Sequence, residues 1–216
     1  MVASSLTGAM IMRLYHNPMS SNARRTLMTA IHLDLPVELA EVDLMNMDDR
    51  RRLAELNPNV KVPVLADGAF LLWESCAIMQ YLAGKAPGQT VYPEEPQARA
   101  DIDRWMFWCA QHFAPAIGVL TWERAWKGIT GGGDADPLEV ARGERELTEC
   151  ALVLDHHLAG RSWVCGNNVS LADFALAAPM MYSEKVALPL AQYAHLQAWF
   201  ARVQQLPAWQ QTNPLW

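Results

Sequence analysis

The residues best equipped for chemistry sit at two places where an apolar run gives way to a helical pattern. The first is Ser20-Ser21-Asn22, which follows Asn17-Pro18 and opens a helical pattern reaching Leu33. Ser20 or Ser21 is placed to be the helix N-cap, and each hydroxyl can also donate a hydrogen bond of its own. The second is the stretch Asn57 to Ser75, NPNVKVPVLADGAFLLWES. Pro63 lacks a backbone donor and pushes Val62 into extended geometry, which leaves the Val62 N–H and C=O free for a ligand. Glu74 and Ser75 bring a carboxylate, a hydroxyl and helix-opening amides together at the far end. Such a set suits a small zwitterionic peptide. An ordinary hairpin followed by a helix cap would use the same residues.

The elements that must position these groups follow from the apolar periodicity. Met12 to His16 reads as a strand, Asn22 to Leu33 as a helix, and Val37 to Val42 as a second strand, which makes a βαβ unit with a parallel pair. Asp48 to Leu56 is a short polar helix. Val62 to Leu65 and Phe70 to Trp73, joined by Asp67-Gly68, form a hairpin, and Ser75 to Gly84 is a helix. The order β-α-β-α-β-β-α yields a small mixed sheet with helices packed on it. Ala86 to Pro96 holds three prolines and a glycine and reads as a linker. Beyond it strand signals vanish. Helices are expected over Gln97–Lys127, bent at Pro115 and Gly118, and over Glu139–Leu158. Two more are expected over Ser170–Val186, kinked at Pro179, and over Gln192–Gln205, followed by an irregular tail. The expected organisation is an α/β domain over 12–85, a linker over 86–96 and an all-helical domain over 97–216.

Composition narrows the classes. The 216 residues are 51% hydrophobic and 19% charged, which describes a well-buried globular protein. A net charge of −6 supplies no basic field for nucleic acid or for a membrane surface. Arg50-Arg51-Arg52 follows Asp48-Asp49 and reads as a solvated or anion-facing helix surface. No apolar run approaches the roughly 20 residues of a membrane helix. The N-terminus lacks the basic and long apolar regions of a signal peptide. Cys76, Cys109, Cys150 and Cys165 show no C-x-x-C spacing and read as reduced thiols. A cytoplasmic location is expected. His156-His157 are adjacent and diverge on a helix, so no metal site is expected.

MRLYHNPMSSNARR, NPNVKVPVL followed by LLWES, a proline-containing linker and GNNVSLADFALAA occur here in one order and spacing. In these features the chain resembles the cytosolic glutathione S-transferases, over nearly its whole length from Met12 to about Trp209. The resemblance implies a thioredoxin-like N-terminal domain, a helical C-terminal domain, glutathione as cosubstrate and a homodimer. Ser170 and Asp173 fit a capping box, a structural role.

The resemblance also implies roles for individual residues. A free thiol has a pKa of ~8.5, so donors at a helix N-terminus that favour the thiolate supply nucleophile. By similarity to serine-type and bacterial members, Ser20 is the first choice to hydrogen-bond the sulfur, with Asn22 a second donor and Ser21 the runner-up. The alternative is that the serines only cap the helix. Val62 should pair its backbone with the cysteinyl part of glutathione as in strand addition, and Pro63 matches the family's cis proline. Glu74 and Ser75 should hold the γ-glutamyl group, and Lys61 the glycyl carboxylate, with a ligand-free exposed Lys61 as the alternative. Tyr15 reads as packing. The second substrate, a hydrophobic electrophile, would meet the helical domain, where Trp105, Trp108 and Phe113 are acceptor-site candidates. Trp122, Trp126, Trp209 and Trp216 are similar, although aromatics at helical spacing more often form core. The leading expectation is conjugation of glutathione to electrophiles. Glutathione-dependent disulfide or peroxide reduction and a non-catalytic binding module are the alternatives.

Overall fold

In the computed structural model, which describes residues 11–214, the first half builds a four-stranded sheet of order β2-β1-β3-β4. β1 (Met12–His16) runs parallel to β2 (Val37–Glu41), with Leu14 opposite Leu39. β1 is antiparallel to β3 (Val64–Asp67), which is antiparallel to β4 (Phe70–Trp73). Alternation along the strands sends Leu14 and Leu65 to one face, where they bury Ala30 of α1 (Ser21–His32) and Ile78 and Leu82 of α3 (Ser75–Lys85). On the other face Val64, with Val42 and Val62, packs on Leu53 of α2 (Met47–Leu56). This is the thioredoxin-like arrangement, with helices on both faces of a small mixed sheet.

The second half is helical. α4 (Pro96–Trp108) opens on Glu95, whose carboxylate accepts from the Gln97 and Ala98 amides at 3.0 and 2.7 Å. It runs through a π-helical turn, Cys109–Phe113, into α5 (Ala114–Thr121), a second π turn (Trp122–Trp126) and α6 (Lys127–Ile129). Gly131, at φ +78°, lies just beyond. The π turn lies directly before Pro115, whose missing N–H and bulky ring a wider turn accommodates. Gly118, expected to bend the chain, instead sits inside regular α5.

α7 (Pro137–Leu158) buries Leu147, Ala151, Leu154 and Leu158 along one face. The helix expected from Ser170 to Val186 stops sooner. α8 covers Leu171–Ala177, and Pro179, unable to donate to an i−4 carbonyl, lies in a 3₁₀ segment, Ala178–Tyr182. α9 (Ala194–Gln204) buries Leu196, Trp199, Phe200 and Val203. The tail is more regular than expected, because Pro207 starts a short α10 (Pro207–Gln210).

One apolar core crosses between the halves, since Met28 of α1 and Met79 and Ala83 of α3 pack with the buried residues of α4, α5, α7, α8 and α9. Arg24 of α1 reinforces this junction. Its buried guanidinium lies 3.6 Å from the centre of the Trp209 ring and donates to Trp209 O at 3.1 Å and Asn213 Oδ1 at 2.6 Å.

Candidate active site

Both strand–helix junctions singled out in the sequence open onto one cavity of about 770 Å³ between the two halves. Ser21 and Asn22 reach it from the start of α1, and Val62, Pro63, Glu74 and Ser75 reach it from the hairpin. α1 begins there because Ser20 caps it, its Oγ accepting from the Ala23 amide at 3.2 Å. No acidic side chain occupies the first turn of α1, so the positive end of its dipole is left for a bound anion. Ser20 itself is not among the lining residues. Its hydroxyl proton remains available to donate, because the cap uses only the acceptor side.

The hairpin junction is held by its own polar contacts. Buried Asn57 donates from Nδ2 to Lys61 O at 2.8 Å and accepts the Asn59 amide at 3.0 Å, which fixes the turn before Lys61 and Val62. The Val62–Pro63 bond is cis. The β3 ladder starts at Val64, opposite Tyr15, so Val62 lies beyond the last paired residue. Glu74 takes φ +73°, a left-handed value uncommon outside glycine, at the step from β4 into α3. Its side chain is exposed at the cavity edge, while Ser75 is buried with Oγ 3.5 Å from Asn22 Oδ1, a long contact that joins the two junctions. Lys61 also lines the cavity and is exposed.

The helical half supplies the opposite wall, with Phe107, Gln111, Pro115, Gly118, Trp122 and Trp126 among its residues. Trp105, Trp108 and Phe113 sit elsewhere. They pack on one another, Trp105 edge-on to Trp108 at 5.2 Å and Trp108 stacked on Phe113 at 5.9 Å between ring centres, and none lines the cavity. Phe113 is wholly buried. The aromatics that do face the cavity are Phe107 of α4, Trp122 and Trp126 of the second π turn, and Tyr182 of the 3₁₀ segment. Trp209 is buried under Arg24, and Trp216 lies outside the described residues. Tyr15 packs with Val42, Leu53 and Val62, and Arg51 and Arg52 pair with Asp48 and Asp49 within α2.

Three lining residues had no role at the site in the sequence reading, where Cys76 reads only as a reduced thiol. Tyr182 donates from its hydroxyl to Met19 O at 2.5 Å, which clamps the loop before α1 to the helical half, and burial raises its pKa. Arg25 and Cys76 face each other across α1 and α3, with Arg25 Nη1 3.9 Å from Cys76 Sγ. The only available signal was that residue 25 lies one turn after Ser21 on the same helix face. His157 donates from Nε2 to Val164 O, 2.7 Å away, and no cluster of metal-ligating side chains occurs among the described residues.

Comparison with known proteins agrees with this arrangement. Residues 14–90 match the family model for the glutathione S-transferase N-terminal domain, and residues 113–207 match that for the C-terminal domain. The chain belongs to the glutathione S-transferase family. It is 31% identical over 203 residues to a glutathione S-transferase of Hyoscyamus muticus, covering 92% of this chain and 95% of that one. It is 30% identical over 200 residues to glutathione S-transferase GstB of Escherichia coli K12, covering 88% and 91%. Among solved structures, the theta class glutathione S-transferase of Xanthomonas axonopodis pv. citri with glutathione bound is 30% identical. It superposes with a TM-score of 0.85 over 95% of this chain and 98% of that chain. A Pseudomonas putida glutathione transferase with one glutathione disulfide per subunit is 26% identical, with a TM-score of 0.84 over 95% and 91%. This family member is accordingly a glutathione transferase.

Proposed function

We propose that the cavity binds glutathione along the hairpin and holds its sulfur at the start of α1, where the thiolate attacks a hydrophobic electrophile lying against the helical wall. In this reading the Val62 backbone pairs with the cysteinyl unit, and the Ser75 hydroxyl and the first amides of α3 take the γ-glutamyl carboxylate. Glu74 takes the γ-glutamyl amino group, and Lys61 the glycyl carboxylate. Ser20, Ser21 and Asn22 donate to the sulfur. The observation that carries the reading is the meeting of Ser21 and Asn22 with Val62, Glu74 and Ser75 on one cavity, although 39 or more residues separate the two sets. Phe107, Trp122 and Trp126, in place of Trp105, Trp108 and Phe113, are the aromatic contacts of the electrophile.

The chemistry is a proton balance. At neutral pH a free thiol with pKa ~8.5 is only a few per cent thiolate. Each donor aimed at the sulfur favours the charged form, and the helix dipole adds to it. The bond forms between sulfur and an activated carbon, the leaving group departs with the bonding pair, and binding both partners in one cavity supplies proximity. A homodimer, a cytoplasmic location, a detoxifying role and a domain boundary within 86–96 belong to the same reading. Exposed Phe70, Leu71 and Trp73 on β4 offer apolar surface to a second copy.

The test combines calorimetry with turnover of a chloronitrobenzene-type electrophile. Glu74→Gln, which keeps the side-chain shape, should weaken glutathione binding about tenfold, the loss expected for a charge-assisted hydrogen bond. Ser20→Ala and Ser21→Ala made separately should show which hydroxyl serves the sulfur, by a fall in kcat of about 10²-fold with glutathione KM little changed. Full turnover in both single variants and in the double variant would remove the serines from this role.

A further inference from the structure

Arg25 is 2% exposed, yet its Nε and Nη2 have no hydrogen-bond partner. Its remaining nitrogen lies 3.9 Å from the Cys76 sulfur, its side chain also reaches the thiol of Cys109, and it takes part in none of the ion pairs among the described residues. A guanidinium keeps its proton in proteins, and a buried charge without a partner is strongly unfavourable. The neighbouring Arg24, 4% exposed, shows the usual solution, with Thr212, Trp209 and Asn213 all accepting from it. Arg25 lines the cavity on the same face of α1 as Ser21 and Asn22, one turn back. The other charged residues on the cavity wall are Lys61 and Glu74, one of each sign. The cavity wall therefore carries one positive charge in excess, and it is the buried one.

We propose that this charge is compensated by the bound substrate: Arg25 acts as a positioning residue whose field favours the thiolate of glutathione held at the start of α1. The proposal rests on the reading of the cavity given above. Arg25 acts through space, not by contact with the reacting atoms.

The groups packed around it leave the charge uncancelled. From the first π turn comes Cys109, whose thiol burial pushes up to about 11. From the 3₁₀ segment comes Tyr182, which burial also raises and whose hydroxyl is tied to Met19 O. Both are neutral at pH 7. Asp173 of α8 turns its carboxylate to Val164, Ser170 and Trp199, and none of these contacts involves Arg25. From α3 comes Cys76, the one remaining ionisable neighbour. At an effective dielectric of about 20, a unit charge on the order of 7 Å from any thiol moves its titration by on the order of 1–2 pH units.

The experiment titrates the bound glutathione thiolate by ultraviolet difference absorbance and follows kcat/KM against pH. It compares wild type, Arg25→Met, Arg25→Gln and Arg25→Lys, and repeats each in a Cys76→Ser background to exclude the protein's own thiol. In Arg25→Met the apparent pKa should rise by about one unit, with kcat/KM about tenfold lower near pH 6.5 and within about twofold of wild type near pH 9. Arg25→Lys, which keeps the charge, should fall between the two. Should the methionine variant not fold, the neutral, polar glutamine variant must show the same upward shift. A folded neutral variant with an unmoved titration overturns the proposal and leaves the glutathione reading intact. A wild type whose bound glutathione titrates no lower than the free thiol overturns both.

Discussion

Replacing Asp173 tests how firmly the helical half is held, because a single buried carboxylate there gathers three segments. Oδ1 accepts from the Val164 amide at 2.9 Å and from Trp199 Nε1 at 2.8 Å. Oδ2 accepts from the Ser170 amide and the Ser170 hydroxyl, both at 2.8 Å. The residue has no exposed surface, and burial, the largest influence, pushes its carboxyl upward against the pull of these donors. Asp173→Ala strands four donors in an apolar surround. Summing hydrogen bonds to a charged group at ~1.5–3 kcal/mol each would overstate the loss, since the mutant also escapes the cost of burying the charge. Removing one partner from a buried charged network typically costs about 3–5 kcal/mol, at least about a fifth of a stability of roughly 5–15 kcal/mol. Trp199→Phe removes one donor and should cost less, about 1–2 kcal/mol, including lost ring contacts. Urea unfolding followed by tryptophan fluorescence and circular dichroism measures both. The two changes should also be less than additive, since they share one hydrogen bond. A loss under about 1 kcal/mol for Asp173→Ala, with an unchanged m-value, would refute the view that this carboxylate holds α8 to α9 and the Val164 loop.

Two further outcomes follow from the cavity and the domain junction. A Cβ added at Gly118, inside α5 and on the cavity wall, meets nothing within 4 Å. Gly118→Ala should therefore stabilise the protein by about 0.5–1 kcal/mol through helix propensity, and Gly118→Phe should lower kcat/KM for bulky electrophiles more than for small ones. A melting temperature lowered by the alanine would count against this. The same change at Gly143 should lose that gain, because its Cβ would lie 3.0 Å from Val119 Cγ1 and 3.1 Å from Leu120 Cγ. His32 packs edge-on against Phe174 of α8 at 5.3 Å, and burial lowers its pKa from 6.5. A depressed histidine leaves the unfolded chain binding more protons, so its contribution is complete above about pH 6.5 and is lost as pH falls through that value towards the folded pKa. His32→Gln should flatten the fall in melting temperature between about pH 7 and 5, and an unchanged slope would exclude His32 as its source.

The fold was legible where side-chain periodicity reports burial directly. Leu14 and Leu65 against Val64 reveal a sheet covered on both faces, and Leu147, Ala151, Leu154 and Leu158 reveal one face of α7. The two junctions were legible because Pro63, Glu74-Ser75 and Ser20-Ser21-Asn22 carry constraints that act within a few residues. The helical wall was less so. Trp105 and Trp108 have the same residue type and spacing logic as Trp122 and Trp126. Which pair turns to the cavity depends on the first π turn, which lies between them and rotates the helix face beyond it. No local pattern distinguishes a π turn from an α turn. Arg25 was hidden for a different reason: nothing in a sequence shows that an arginine lacks a partner.

α1 links these observations. Its first residues face the cavity, Ala30 packs into the sheet, Met28 enters the shared core, Arg24 is tied to the C-terminal segment, and Arg25 stands uncompensated beneath the site. The amino end of a helix is only as well placed as the helix behind it, and here that placement is set mainly by the helical half, through Trp209, Phe174 and the Tyr182–Met19 contact. In the proposed reading the residues that touch glutathione belong to the α/β half, while the helical half sets the placement of the helix end that faces its sulfur. Loosening α8 or the C-terminal segment should therefore reduce turnover before it reduces glutathione binding, since Val62 and Glu74 are placed by the sheet and the hairpin, and only Ser75, at the start of α3, is tied to the shared core.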